Sequence, residues 1–167
     1  RIKQVFDLVP YFQPIRIVCH PSFDDRYYVD CDDLWLKNSI KTWTELIKLA
    51  KDAKTIISLE NVYDKGPNIL RRLFDDLSSD CICFCFATGH FNVFSRTPLN
   101  IWMRELGEYL GQLHLHDNFG LKDEHLPVGK GNFSFNELFK ELRKIKVKPV
   151  ITLEAHDQAG LWQSLEN

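Results

Sequence analysis

Short apolar segments recur along the chain, and each is followed by polar residues. Runs of about four to eight apolar or alternating positions are typical of β-strands, and a continuous run is typical of a strand covered on both faces. Five segments of this kind predict five strands. They lie at residues 15–18, 55–59, 81–86, 112–117 and 149–153.

Apolar positions spaced by three and four residues predict helices next to these strands. The predicted helices cover residues 1–9, 40–53, 68–78, 98–110 and 135–145. Pro10 and Pro14 are expected to end the first helix, because proline cannot continue a helix interior. Residues 22–39 are polar and aromatic and predict a long loop, while residues 155–167 predict the start of one more helix.

Strands that alternate with helices predict parallel βαβ units, and therefore an α/β fold. In such folds the carboxyl ends of the strands meet at one edge, where functional sites are built. All six histidines lie at or shortly after a predicted strand end: His20, His90, His114, His116, His125 and His156. Histidines with purely structural roles would not usually be placed so regularly, so we expect a functional site at this edge.

The stretch from Leu113 to Gly131 holds the densest group of potential metal ligands. His114 and His116 alternate with leucines, as in a strand with two different faces, and a turn-rich loop follows. The loop adds Asp117, Asp123, Glu124 and His125. Such crowding is costly inside a protein unless a cation or a reacting substrate makes use of it.

The composition describes a globular chain without a strong preference for a charged partner. Its 167 residues, of which 44% are hydrophobic, suffice for a single domain over residues 1–167. The net charge of -2 gives no general argument for nucleic acid or an anionic membrane as partner, and no apolar run is long enough to span a membrane. The five cysteines form no Cys-x-x-Cys pair, so we expect core thiols in a reducing, cytoplasmic compartment.

The polar residues at the strand ends, taken in order, resemble the xylose isomerase-like TIM barrel superfamily. This superfamily contains sugar isomerases and epimerases and the endonuclease IV type of AP endonuclease. The matching segments are Cys19-His20-Pro21, Leu59-Glu60-Asn61, Phe86-Ala87-Thr88-Gly89-His90, His114-Leu115-His116-Asp117, Asp123-Glu124-His125 with Gly129-Lys130-Gly131, and Leu153-Glu154. The resemblance implies a (β/α)8 TIM barrel.

A complete barrel of this kind needs about 250 residues, more than this chain has. By the resemblance, His20 ends the third barrel strand, and residues 123–125 stand where a short seventh strand would be. We therefore expect the C-terminal part of a TIM barrel, from about the third to the eighth strand, and a chain that is a fragment of a longer product.

Family members of the epimerase kind hold one divalent cation with two Glu, one Asp and one His. The resemblance places Glu60, His114 and Glu154 in this set, with Ala87 where the family has the Asp. Glu60 and Glu154 are then the catalytic base and acid of a proton transfer next to a metal-polarised carbonyl. Oxygen-rich ligands suit Mn or Mg, and a His ligand is compatible with Co or Zn.

The implied substrate is a small-molecule sugar or sugar phosphate. The residues expected to bind it are His20, Asn61, His90 and His116. Asn61 is also expected to orient Glu60. A homo-oligomer is compatible with the sequence, because a partner chain could cover the open edges of a partial barrel.

Two other functions remain open. An AP endonuclease would hold up to three zinc ions and bind DNA; His90, Asp123 and His125 resemble one of its zinc sites, and His20 with Glu60 resembles part of another. Against this alternative, the chain has no obvious basic stripe for phosphates. The third hypothesis is a catalytically silent family member, suggested by Ala87 and the missing strands.

Each candidate also has a simpler interpretation. Glu60 could pair with a core Lys or Arg, His90 could cap a helix, His20 could be a turn residue and His116 could serve in packing. His156 is expected at the surface.

Overall fold

The computed structural model describes residues 1–166 and contains five parallel strands. They are β1 (Arg16–Cys19), β2 (Ile56–Glu60), β3 (Ile82–Ala87), β4 (Leu110–Leu115) and β5 (Val150–Leu153). Each strand pairs with the next one along the chain, so the sheet order is β1-β2-β3-β4-β5. The sheet curls into part of a barrel with helices on its outer side, which confirms the predicted partial TIM barrel.

Eight α-helices accompany these strands in the described part of the chain. They are α1 (Ile2–Phe6), α2 (Val9–Phe12), α3 (Asp32–Asp52), α4 (Asn68–Leu77), α5 (Thr88–Phe94), α6 (Leu99–Leu106), α7 (Phe135–Ile145) and α8 (Gln158–Glu166). The helix predicted at 98–110 ends earlier, in a 3-10 turn at Gly107–Tyr109. The predicted tail helix is confirmed as α8, and Asn167 lies outside the described residues.

The prediction of one helix over residues 1–9 is wrong, because two short helices, α1 and α2, stand there. Pro10 does not end a helix. It lies in the first turn of α2, where the missing N–H of proline has no partner to lose.

The prediction of a loop over residues 22–39 is also wrong in its second half, because α3 begins at Asp32. Asp32 and Asp33 lie in the first helical turn, where carboxylates interact favourably with the helix dipole. Trp35 and Leu36 are buried against the core, at 5% and 6% exposure. Asp32 and Asp33, which the prediction placed in a loop, therefore belong to the start of a helix.

Two elements at the carboxyl edge of the sheet differ from prediction. Helix α5 follows β3 directly and was not predicted, because seven residues are too few for a helical period to show. Strand β4 covers Leu110–Leu115, so His116 lies just beyond the strand, whereas the sequence predicts a strand over residues 112–117 that includes it.

The main core lies between the outer faces of the strands and the helices. Phe84 and Phe86 of β3 are fully buried against Trp102 of α6, with ring centroids 6.1 and 6.2 Å apart. Phe74 of α4 packs edge-on against Phe84 at 6.2 Å. Burying such a side chain contributes about 1.5–3 kcal/mol, so β3 is held firmly in the middle of the sheet.

The inner face of the sheet is polar and is cross-linked by side chains. Ser58 Oγ lies 3.1 Å from Cys83 Sγ and donates a hydrogen bond to Gln112 Oε1 at 3.2 Å. Gln112 Nε2 in turn donates to Thr152 Oγ1 at 3.3 Å. These contacts connect β2, β3, β4 and β5 below the edge where the candidate site lies.

Strands β1 and β5 are the edges of the sheet among the described residues. Val150 and Ile151 of β5 are 43% and 52% exposed, although both are strongly apolar. Residues of this kind would be covered in a closed barrel.

The five cysteines are free thiols, and Cys85 is fully buried, as expected of a core residue. Cys81 and Cys83 are less buried than predicted. None of the described helices has the length and apolar character to cross a membrane.

Candidate active site

Glu60, His114 and Glu154 meet at the carboxyl edge of the sheet. Glu60 ends β2, His114 lies near the end of β4, and Glu154 directly follows β5. His114 Nδ1 lies 3.0 Å from Glu60 Oε1 and 3.2 Å from Glu154 Oε2. The structure therefore brings the two predicted catalytic carboxylates together on one imidazole nitrogen, and we call these residues the Glu-His-Glu group.

The charges of this group are set by competition between burial and ion pairing. Burial alone raises the pKa of Glu60, but hydrogen bonds from His114 and His20 outweigh it and hold that pKa at about 2. Burial lowers the pKa of His114, but contacts with Cys85, Glu154 and Glu60 raise it to about 12. Glu60 is therefore ionised at neutral pH, which is the form that binds a cation.

The second ring nitrogen of His114, Nε2, is in contact with Gln112. Gln112 Nε2 lies 3.1 Å from His114 Nε2, and both residues point to the inner face from β4. Gln112 is not among the site residues that the sequence predicts. The available signal was its spacing from His114, because residues two apart on a strand share a face, while the buried Leu113 between them points to the other face.

A second group of ligand atoms surrounds Asp123, and we call it the histidine cluster: His90, His116, Asp123 and His125. Asp123 Oδ2 lies 3.1 Å from both His90 Nε2 and His125 Nε2, and Asp123 Oδ1 lies 3.6 Å from His116 Nδ1. The predicted set of His90, Asp123 and His125 is thus assembled, and the structure adds His116 to it.

His116 has no hydrogen-bond partner for either ring nitrogen within the described chain, although its side chain is buried. Burial, reinforced by the neighbouring His125, lowers its pKa to about 4, so the ring is neutral at physiological pH. A buried polar group without a partner costs about 1–3 kcal/mol. A neutral imidazole among other ligand atoms is the form that binds a metal ion.

Asp117 closes the loop that carries Asp123. Its Oδ1 accepts hydrogen bonds from the backbone N–H of Asn118 at 2.9 Å and of Phe133 at 3.1 Å, and its Oδ2 accepts one from Gly131 at 2.9 Å. A Cβ at Gly131 would collide with the backbone of Asn118, so only glycine fits at this position. Asp117 is a ligand candidate from the sequence, and this structural role was not predicted.

Helix α5 fixes the position of His116 from the other side. Thr88 Oγ1 donates to the carbonyl of His116 at 2.6 Å and lies 3.1 Å from its amide nitrogen. A Cβ at Gly89 would collide with the His116 ring and the Asn118 side chain. The close approach of α5 to the end of β4 therefore depends on glycine at position 89.

Asn61 is directed towards Ala87 and His90. Its Oδ1 accepts from the Ala87 N–H at 2.9 Å, its Nδ2 donates to the Ala87 carbonyl at 3.2 Å, and its own carbonyl lies 2.9 Å from His90 Nδ1. No hydrogen bond joins the side chains of Asn61 and Glu60 in the described structure. The role of Asn61 in substrate binding stays a prediction.

The structure also bears on the simpler interpretations of the candidates. Glu60 contacts histidines, and its described ion pairs include no Lys or Arg. His20 is half exposed, yet its Nε2 lies 3.3 Å from Glu60 Oε2, so it is more than a turn residue. His156 is exposed, as expected, and it stacks on His125 with ring centroids 3.8 Å apart.

Two sets of side chains could hold a divalent cation, because their ligand atoms are of suitable types and lie close together. One is the histidine cluster, and the other consists of Glu60, Cys85 and His114; within each, the donor atoms lie within 4.8 Å of one another. Glu154 Oε2 is also buried without a hydrogen bond. Imidazole and carboxylate donors of this kind suit Zn or Co, and carboxylates suit Mn or Mg.

A sequence profile of the xylose isomerase-like TIM barrel family matches residues 1–166. The chain belongs to this family. The resemblance inferred from the strand ends is therefore confirmed.

Solved structures show the same fold. A D-tagatose 3-epimerase-like protein superposes with a TM-score of 0.83 at 26% identity over 99% of this chain and 64% of its own. A 3-keto-D-glucoside 4-epimerase from E. coli gives 0.74 at 18% identity over 99% of this chain and 67% of its own. A protein of Thermus thermophilus, from crystals soaked with ZnCl2, superposes with a TM-score of 0.75 at 23% identity. The superposition covers 96% of this chain and 64% of the Thermus protein.

Two curated relatives are uncharacterized proteins of Methanocaldococcus jannaschii. One is 29% identical over 83% of this chain and 50% of its own length. The other is 40% identical over 92% of this chain and 60% of its own length. The chain thus spans about half to two thirds of the proteins that it resembles.

Proposed function

We propose that this chain forms the metal-binding part of a sugar or sugar-phosphate isomerase or epimerase. The observation that carries the proposal is the Glu-His-Glu group, in which Glu60 and Glu154 approach one nitrogen of His114 at 3.0 and 3.2 Å. Two carboxylates at one edge of a barrel are the groups needed to remove and return a proton at a carbon atom. Epimerases among the structural neighbours support the same reaction class.

Glu60, His114 and Glu154 would hold the cation, and when bound it would polarise the substrate carbonyl and stabilise the enediolate. The carboxylates act on the carbon next to that carbonyl. Glu154, which is ionised, accepts the proton while the C–H electron pair moves towards the carbonyl oxygen. The carboxylic acid formed in this way then returns the proton to a carbon of the enediolate, which restores the ionised Glu154.

Glu154 is the better placed of the two to contact substrate. Its side chain is 30% exposed, whereas that of Glu60 is 2% exposed and contacts three histidines. Burial raises the pKa of Glu154, but the contact with His114 outweighs burial and lowers that pKa, so Glu154 is ionised and able to act as a base at neutral pH. His20, half exposed beside Glu60, is positioned to contact a bound sugar.

The first test is elemental analysis of the purified protein, followed by solvent exchange. One Mn, Co, Mg or Zn ion per chain, with deuterium entering a ketose in heavy water, is the expected result. Glu154→Gln should slow exchange by about 10²–10⁴-fold, the usual contribution of a general base. The exposed Glu137 of α7 offers a matched control, and Glu137→Gln should exchange normally. Exchange that survives in Glu154→Gln would rule the mechanism out.

The histidine cluster favours a second candidate, a zinc-dependent AP endonuclease. Its four donor residues form a second set of converging ligand atoms beside the Glu-His-Glu group, with His116 Nε2 3.5 Å from Glu154 Oε2. Several zinc ions per chain and incision of abasic DNA would support this candidate over the isomerase. If neither metal nor turnover is found, a catalytically silent family member becomes the preferred hypothesis.

Three further expectations stay predictions. They are a single domain over residues 1–167, a cytoplasmic location and a homo-oligomeric state.

A further inference from the structure

Strand β3 presents Cys83, Cys85 and Ala87 to the inner face of the sheet, because alternate residues on a strand point the same way. In the sheet register Cys85 lies opposite Glu60 of β2, and Ala87 lies opposite His114 of β4. Cys85 is therefore one step below the position where the family has a carboxylate. It stands between the strands that carry the Glu-His-Glu group.

The thiol of Cys85 is within reach of the metal-binding atoms. One ligand atom each of Glu60, Cys85 and His114 lies within 4.8 Å of the others. All three side chains are buried, and Cys85 is completely so. A sulfur, an oxygen and a nitrogen donor thus converge among buried side chains.

We propose that Cys85 is a thiolate ligand of the ion held by Glu60 and His114, and that it takes the coordination position left open by Ala87. This inference rests on the metal centre of the proposed function and adds a ligand and a metal preference. A bound divalent cation deprotonates a coordinating thiol. Because thiolate is a soft donor, the site should select Zn or Co over Mg and Mn.

Cys83 provides a matched control on the same strand and face. Its Sγ lies 3.1 Å from Ser58 Oγ and packs against Gly111, where a Cβ would be only 2.6 Å away. Cys83 thus lies deeper in the barrel, further from the carboxyl edge than Cys85. It is absent from both sets of converging donor atoms.

The test is a titration of the full chain with Co(II), followed by near-ultraviolet absorption. Thiolate coordination gives a sulfur-to-cobalt charge-transfer band, which we expect in the wild type and in Cys83→Ser. We expect Cys85→Ser to lose the band and to bind Co(II) at least about 10-fold more weakly, because losing even an outer-shell partner costs about 10–100-fold. Adding Ala87→Asp to Cys85→Ser should restore affinity without restoring the band.

X-ray absorption of the wild-type zinc protein provides a second measurement that needs no variant. A sulfur neighbour at about 2.3 Å is expected beside nitrogen and oxygen neighbours at about 2.0–2.2 Å. One bound metal with only nitrogen and oxygen neighbours would overturn the role of Cys85 and leave the proposed isomerase standing. A charge-transfer band that persists in Cys85→Ser would likewise overturn it. A protein that binds no metal would overturn both proposals.

Discussion

The rings of His116 and His125 stack face to face, with centroids 3.9 Å apart and planes 15° from parallel. His125 reaches this position with a φ of 50°, a left-handed conformation that is uncommon for residues other than glycine. Such a conformation persists only where surrounding contacts impose it. The end of β4 and the loop after it are therefore held together at the histidine cluster.

His156 extends this stack on the outer side of His125, at 3.8 Å. Because stacked aromatic pairs contribute about 0.5–1.5 kcal/mol, we expect His156→Ala to weaken zinc binding by about 2- to 10-fold. His156→Phe should retain most of the affinity, since it keeps a ring. Competition with a chelator measures both variants. An equal loss in His156→Phe would show that the imidazole nitrogens, and not the ring face, are needed.

Asn61 fixes the backbone of Ala87 by two buried hydrogen bonds. Asn61→Ala would leave the Ala87 N–H and carbonyl without these partners, and we expect a loss of about 2–4 kcal/mol in the free energy of unfolding. Asn136→Ala, at an exposed position of α7, should change stability by less than about 0.5 kcal/mol. Urea denaturation compares the two. Equal losses would contradict the role assigned to Asn61.

Asp117 holds the loop over residues 118–133 by accepting three backbone hydrogen bonds. Asp117→Asn removes the charge and turns an NH2 group towards these donors, so we expect a loss of about 2–3 kcal/mol and faster proteolysis within the loop. Asp157→Asn is the control. Asp157 accepts one hydrogen bond, from Gly160, and Asp and Asn are nearly equivalent as helix N-caps. Unchanged proteolysis in Asp117→Asn would exclude the anchoring role.

We expect the stability of the protein to depend on pH because of Asp64. Burial raises the pKa of this carboxyl to about 7, and its Oδ1 has no hydrogen-bond partner. Between about pH 4 and pH 7 the folded state retains a proton that the unfolded state has lost, so stability falls as the pH rises through this window. Asp64→Asn should therefore be more stable than the wild type at pH 8, by roughly 1–4 kcal/mol.

Urea denaturation of both proteins at pH 4 and pH 8 measures this difference. The advantage of Asp64→Asn should be small at pH 4, where Asp64 is protonated in the folded state and a little under half protonated in the unfolded state, and should reach its full value above pH 7. A difference that does not vary with pH would show that Asp64 is not protonated in the folded protein at pH 4.

The sequence by itself determined the strand-helix order, the family and the members of the Glu-His-Glu group. Apolar period and strand-end chemistry are local signals, and parallel strands bring their carboxyl ends to one edge whatever the details of packing. The members of the Glu-His-Glu group and the significance of Ala87, the last residue of β3, came from the family resemblance and not from the apolar pattern.

Only the tertiary structure decided which neighbours these residues have. The contact of Asn61 with Ala87, the inclusion of His116 in the histidine cluster and the approach of Cys85 to Glu60 all join different strands or helices. A strand register sets such contacts, and a register arises from packing over the whole sheet. Helix α5 was not predicted for a related reason. Tertiary contacts stabilise this short helix more than an apolar period does.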